Sequence, residues 1–228
     1  MTGLSEIAPI AVAIMAKAPR PGEVKTRLCP PLSTEDAARL YRCFLLDKIE
    51  QVRLLPKAGP AIAYAPADGR AEFEELAPGF VLVEQQGDDL GARLAHIFAR
   101  LFVGGYSGVV AVDSDTPTLP RAFLEQALDL VATPRVDVVL GPSEDGGYYL
   151  IGLRRLHRDL FEAMPWSTAA VLPETLRRAG AKGLNVVCLP PWFDVDTPRD
   201  LDRLRATLAG GPDGEPWHTR RFFMERTR

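Results

Sequence analysis

The stretch VVAVDSDTPTLP at residues 109–120 carries a short apolar run straight into Asp113-Ser114-Asp115 and then into Thr116-Pro117. An unbroken run of small apolar residues marks a strand buried on both faces, the kind found in a parallel sheet between helices. The prolines that follow cannot donate to a sheet ladder, so the strand ends here. Two carboxylates one residue apart therefore stand at its carboxyl end, where open α/β sheets bind their ligands. In extended backbone, residues i and i+2 project to one side, so both acids can face a single cation. The alternative is a plain Asx-type turn ahead of Pro117.

Working outward, the chain alternates strand-like and helix-like patterns. PIAVAIMA (9–16) is a second unbroken apolar strand. STEDAARLYRCFLLDKIEQV places Ser33 as a cap with Asp36 three residues on, then Ala37, Leu40, Tyr41, Phe44, Leu45 and Ile49 at helical spacing. AIAYA and FVLVEQ read as strands with a short acidic helix between them. The amphipathic helix DDLGARLAHIFARLF precedes GVVAVD; RAFLEQALDLVA and VDVVLGP follow. GGYYLIGL comes too soon after VDVVLGP for a crossover helix, so either an antiparallel strand or another departure from simple winding is expected there. The remaining elements are AAVLPETLRRAGA, LNVVCLP and PRDLDRLRATLA. The pattern predicts an α/β fold with a mostly parallel central sheet and helices on both faces. One domain over residues 1–209 is expected, with 210–228 as a C-terminal tail that is either a docking arm or partly disordered.

The bulk numbers fit this class. A hydrophobic share of 46% and a charged share of 25% over 228 residues are ordinary for a globular chain. A net charge of −3 offers no basic field for nucleic acid or an anionic membrane. The first apolar run lacks a basic n-region and is too short for a bilayer. Cys29, Cys43 and Cys188 show neither zinc spacing nor a disulfide framework, and reduced thiols in a cytoplasmic protein are expected.

Each strand mouth carries chemistry. KAPRPGEVKTRL gathers Lys17, Arg20, Lys25 and Arg27, which suits phosphate oxygens but equally fits a solvated basic loop. It is neither a Walker A loop nor GxGxxG. Glu144, Asp145, Gly146 and Gly147 form an acidic, glycine-rich turn. In PWFDVDTPRDL, Thr197, Pro198 and Asp200 make a helix start and leave Asp194 and Asp196 as a second i, i+2 acid pair. Hard carboxylate oxygens suit Mg²⁺ or Mn²⁺. His96 reads as helix packing, and His157 and His218 lack a Ser or Cys partner pattern, so a hydrolase triad is rejected. Tyr148, Tyr149 and Trp166 fit either a pocket wall or the core.

In order along the chain, MAKAPRPGEVKTRL, GDDLGARL, AVDSDTPTLP, GPSEDGGYYLIGL, PWST and FDVDTPRDL resemble the small bacterial GT-A-type members of the nucleotide-diphospho-sugar transferase superfamily. The nearest likeness is the radical-SAM/selenodomain-associated transferase group, some of whose members are called arsenosugar-biosynthesis glycosyltransferases; phospholactate guanylyltransferases look like cousins. The resemblance covers roughly residues 9–208 and implies a three-layer, Rossmann-like GT-A fold. By position it implies nucleotide binding at Ala16, Lys17, Lys25, Arg27 and Ser114, and a DxD metal site at Asp113 and Asp115 joined by Asp196. The nucleotidyltransferases' usual first loop is glycine-rich, whereas this one is proline-rich.

The expected function is a Mg²⁺- or Mn²⁺-dependent transferase working on a nucleotide or nucleotide-sugar donor and a small-molecule acceptor. Asp113, Asp115, Lys25, Glu144 and Asp145 are its candidate catalytic groups, and Gly146, Gly147, Tyr148 and Trp166 its candidate substrate contacts. Glycosyl transfer leads; nucleotidyl transfer and a non-catalytic nucleotide sensor stay open. A homodimer is compatible, and no nucleic-acid or membrane partner is expected.

Overall fold

A computed structural model describes residues 9–210 and 216–226. In chain order the elements are β1 (Ile10–Lys17), α1 (Thr34–Arg53), β2 (Ala58–Ala65), α2 (Arg70–Leu76), β3 (Val81–Glu84), α3 (Leu90–Val103) and β4 (Gly108–Val112). Then come α4 (Arg121–Ala132), β5 (Val138–Pro142), β6 (Tyr148–Leu153), α5 (Val171–Ala181), β7 (Val186–Cys188), α6 (Pro198–Gly210) and α7 (Trp217–Arg226). The strands form one seven-stranded sheet in the order β3-β2-β1-β4-β6-β5-β7. All pairings are parallel except those of β6, which runs antiparallel to both β4 and β5. The short link between β5 and β6 leaves no room for a crossover, so reversal is the available geometry.

Alternation along β1 explains the three layers. Val12, Ile14 and Ala16 join the core beneath α1, α2, α4, α6 and α7, whereas Ala11 and Ala13 join a second core beneath α3 and α5. On that second face Ala11, Ala13, Ala61 and Ala63 are all small, and Leu94, Ile97, Phe98 and Leu101 of α3 supply the bulk. β4 is buried at every residue, as its unbroken apolar sequence requires.

Helix starts follow their caps. The Ser33 hydroxyl accepts from the Asp36 N–H, Asp89 accepts from the Ala92 N–H, and Asp200 accepts from the Thr197 N–H and hydroxyl. Residues 217–226 of the expected tail are helical and packed on α1, where Phe222 and Thr219 are buried. Among the described residues no helix is long and apolar enough to cross a membrane.

Candidate active site

The carboxyl ends of β1 and β4 are stitched together by one tyrosine from α1. The Lys17 N–H donates to the Tyr41 hydroxyl (3.0 Å), which lies 2.8 Å from the Ser114 hydroxyl; Ser114 in turn donates to the Met15 carbonyl (2.9 Å). Beside this stitch opens a cleft of about 480 Å³ lined by Ala16, Lys17, Lys25, Arg27, Asp113, Ser114, Asp115 and Asp196, together with Arg93 and with Gln85, whose side chain donates to the Ala16 carbonyl (3.1 Å). All the sequence-assigned nucleotide and metal residues therefore meet in one place. The Ser114 hydroxyl is committed to the framework.

At the floor, the Lys25 ammonium lies between two aspartates far apart in sequence, 2.5 Å from Asp115 Oδ1 and 2.7 Å from Asp196 Oδ1. The backbone at Lys25 is left-handed, with φ of 49°, and the side chain is 5% exposed. Burial lowers its proton affinity, but the charges of Asp115 and Asp196 outweigh that and hold it above the usual lysine range. The Val195 N–H donates to the Asp115 carbonyl at 3.0 Å, which fixes the two acid-bearing segments to each other. The Arg27 guanidinium stands 3.9 Å from Asp196 on the open side.

Asp113 is held from behind. The Thr116 hydroxyl donates to Asp113 Oδ1 (2.6 Å), and the buried Lys48 of α1 donates to both the Thr116 carbonyl (3.0 Å) and hydroxyl (3.1 Å). Burial drives the Asp113 carboxyl up and the Lys48 ammonium down, and each charge opposes the other's shift. Asp194 is also pushed up, to about 6, first by burial and then by Asp196 and Asp145.

The other candidates stand apart from this cleft's lining. Glu144 is paired with Arg203, whose Nη2 lies 2.9 Å from Oε1, and that bond holds its carboxyl below the ordinary range. Asp145 accepts from the Gly147 N–H (2.9 Å) on an exposed turn. Gly146 sits at φ 93°, where a Cβ would fall 2.6 Å from Ala169 backbone, so no other residue fits the turn. Tyr148 and Trp166 pack edge to face, with ring centroids 6.3 Å apart, against the second core. Trp166 also covers Gly91 of α3, where a Cβ would lie 2.7 Å from the indole nitrogen.

Sequence reading did not single out Tyr41, Lys48, Gln85 or Arg93 for the site. Gln85 stands two residues before GDDLGAR at the mouth of β3 and Arg93 is the last residue of that stretch, a position that could have marked them. Tyr41 and Lys48 lie on the buried stripe of a helix and carry no local signal.

Asp115 and Asp196 offer hard oxygen donors with faces open to the cleft, 36% and 38% exposed. One or two carboxylates completed by phosphate oxygens is the usual donor set for Mg²⁺ or Mn²⁺, so the residues fit such an ion. A separate grouping of Asp47, Glu50 and His218 has ligand-type atoms close together. There the Asp47 oxygens accept from the His218 N–H and from the Thr219 N–H and hydroxyl, so that grouping is the cap of α7.

Residues 48–168 match the family DUF2064, described as an uncharacterized protein conserved in bacteria. A comparison with curated proteins gives no match. Among solved structures, a "putative nucleotide-diphospho-sugar transferase" from Desulfovibrio desulfuricans G20 is 35% identical, with a TM-score of 0.87 over 96% of this chain and 95% of that one. A cytidylyltransferase from Leptospira borgpetersenii is 12% identical, with a TM-score of 0.59 over 96% and 94%. Glucosyl-3-phosphoglycerate synthase from Mycobacterium tuberculosis, bound to Mn²⁺, UDP-glucose and phosphoglyceric acid, is 15% identical, with a TM-score of 0.52 over 87% and 75%. Fold and cleft together define the class, a nucleotide-utilising transferase with a GT-A/Rossmann-like architecture. Within that class the chain belongs to DUF2064.

Proposed function

We propose that the protein is a divalent-metal-dependent glycosyltransferase that takes a nucleotide-diphospho-sugar as donor and a small molecule as acceptor. The observation that carries this reading is the convergence of Lys25, Asp115 and Asp196 from three segments at the sheet's carboxyl mouth, beside Lys17, Arg27 and Arg93. An anionic diphosphate finds cations on the cleft rim, and the space beside Ala16 and Gln85 receives the base.

Asp115 and Asp196 would hold the ion, with Asp113 behind them. When bound, Mg²⁺ or Mn²⁺ offsets the charge of the nucleoside diphosphate leaving group. The chain's own work is positional and electrostatic. Lys17, Arg27 and Arg93 orient the phosphates, and the Thr116–Lys48 contact keeps Asp113 in place. The sugar carbon–oxygen bond to the diphosphate breaks and a bond to the acceptor oxygen forms, releasing the acceptor's proton. Of the two turn acids Asp145 is the freer to take it, because Glu144 is tied to Arg203. The unit doing this is the domain expected over residues 1–209, with the helix Trp217–Arg226 packed on α1.

That same tie favours a second reading, nucleotidyl transfer. There an acceptor phosphate attacks the α-phosphate of a nucleoside triphosphate, pyrophosphate leaves, and no strong base is needed. A panel of nucleotide sugars and nucleoside triphosphates with Mg²⁺ or Mn²⁺, read by thermal shift and then by release of diphosphate or pyrophosphate, separates the two. Saturating the preferred donor at about 100 times its Kd adds about 2.7 kcal/mol of stability. Asp115→Ala is expected to lose that shift. Undiminished binding in the variant, or no donor stabilising the parent protein, overturns the proposal.

A further inference from the structure

Lys25 does more than line the phosphate site. Its ammonium lies within ion-pair distance of both acids that would hold a divalent ion, at 2.5 Å and 2.7 Å. It is also walled by the rings of Tyr41 and Phe44, each with its centroid 5.9 Å away. We propose that Lys25 is the resting counter-ion of the Asp115–Asp196 pair, keeping a divalent cation out until a nucleotide phosphate draws the ammonium away. The inference rests on the nucleotide-transferase reading and adds the order in which its ligands enter.

The argument is one of charge and burial. Asp115, Asp196 and Lys25 together carry one net negative charge. A divalent ion on the two carboxylates would neutralise them but would strand the lysine among aromatic rings with its side chain 5% exposed. An unpaired buried charge is costly, by several kcal/mol. Metal entering alone meets that cost, whereas a phosphate arriving with it gives the ammonium a new anionic partner. Lys25 sits in a left-handed conformation in the loop just before a short 3-10 turn (Thr26–Leu28), outside the strands of the sheet. Metal and nucleotide then bind with positive coupling, each raising the other's affinity by the same factor. Arg27, at 3.9 Å from Asp196, is too exposed to substitute for the buried ammonium.

The test of the counter-ion needs no turnover and no nucleotide in the titration; nucleotide binding is measured separately by thermal shift. Mn²⁺ binding to the purified protein is titrated by the loss of the free-ion electron paramagnetic resonance signal, with folding verified by circular dichroism. Lys25→Met removes the charge and keeps the stem; Lys25→Gln is a second neutral variant should the first fold poorly. Both are expected to bind Mn²⁺ roughly tenfold or more tightly than the parent. Lys25→Arg should stay near the parent, and Lys25→Met combined with Asp115→Asn should lose the gain. Neutral variants that bind Mn²⁺ no more tightly than the parent overturn the proposal. Because nucleotide is absent, a tighter Mn²⁺ site in a protein that binds no nucleotide would uphold the counter-ion and remove the transferase reading. Unchanged Mn²⁺ affinity with nucleotide binding intact would do the reverse.

Discussion

Asp194 shows how the crowding of acids at the cleft costs stability. Its carboxyl accepts from the Ser143 hydroxyl at 3.2 Å, yet burial, Asp196 and Asp145 push its pKa up to about 6. Between the ordinary carboxylate range and about 6 the folded chain keeps a proton that the unfolded chain releases. The stability owed to this group is therefore full in mild acid and falls as pH rises through that window. Asp194→Asn keeps the acceptor and removes the charge. After discounting for solvent screening, we expect it to raise Tm by roughly 2–4 °C near pH 7.5, and to leave Tm unchanged near pH 4. A scan across pH in which the two proteins stay parallel would refute the assignment. The acid pairs themselves were legible from spacing alone, since Asp113/Asp115 and Asp194/Asp196 each close an apolar run. Of the cations beside them, Lys25 was singled out in the first loop and Lys48 was not. Lys48 occupies the same buried helical stripe as Tyr41, Phe44 and Val52, and nothing local distinguishes a lysine that reaches Thr116 from one that reaches water.

Among the elements, α1 bears on both the site and the tail. One set of its residues, Tyr41, Lys48 and Gln51, bonds Ser114, Thr116 and the Leu119 carbonyl along the loop after β4. Asp47 instead caps α7, accepting from the His218 N–H and from the Thr219 N–H and hydroxyl. Asp47→Ala leaves three donors without this acceptor, a loss of about 2 kcal/mol, and should lower Tm by roughly 4–8 °C in a chain of this size. A Tm equal to the parent's would show that this cap contributes nothing to stability. The start of α1 was readable from Ser33 and Asp36, and the short link before β6 narrowed that strand to an antiparallel course or another break in the winding, of which the structure has the first. Docking of residues 217–226 was not readable, because WHTRRFFMER shows a helical apolar stripe only once the face of α1 that covers Phe222 and Thr219 is known. For the same reason the turn at Glu144 read as a site for acid–base work. Its partner Arg203 comes from α6, 59 residues away.

Across the whole molecule, the sheet order puts β1 beside β4 at the centre, so the first loop and the Asp113–Asp115 segment open into one cleft, while the chain after β7 returns Asp196 to the same mouth. Lys25 and Asp196 are 171 residues apart in sequence and 2.7 Å apart in space. Periodicity indicates where strands end. It does not say which ends adjoin, and that convergence came from the family resemblance rather than from pattern. If the cleft is a single site, occupancy by one ligand must tighten all three segments together. Hydrogen exchange should therefore slow in concert at residues 16–27, 113–116 and 194–197 when the preferred nucleotide and Mg²⁺ are added. The edge strand β3, at the far side of β2, should keep its rates. Protection limited to the first loop would mean that Asp113, Asp115 and Asp196 take no part in holding the ligand. Coordinated protection would mean that the Lys25 contact joins the two halves of the sheet through whatever anion the cleft receives.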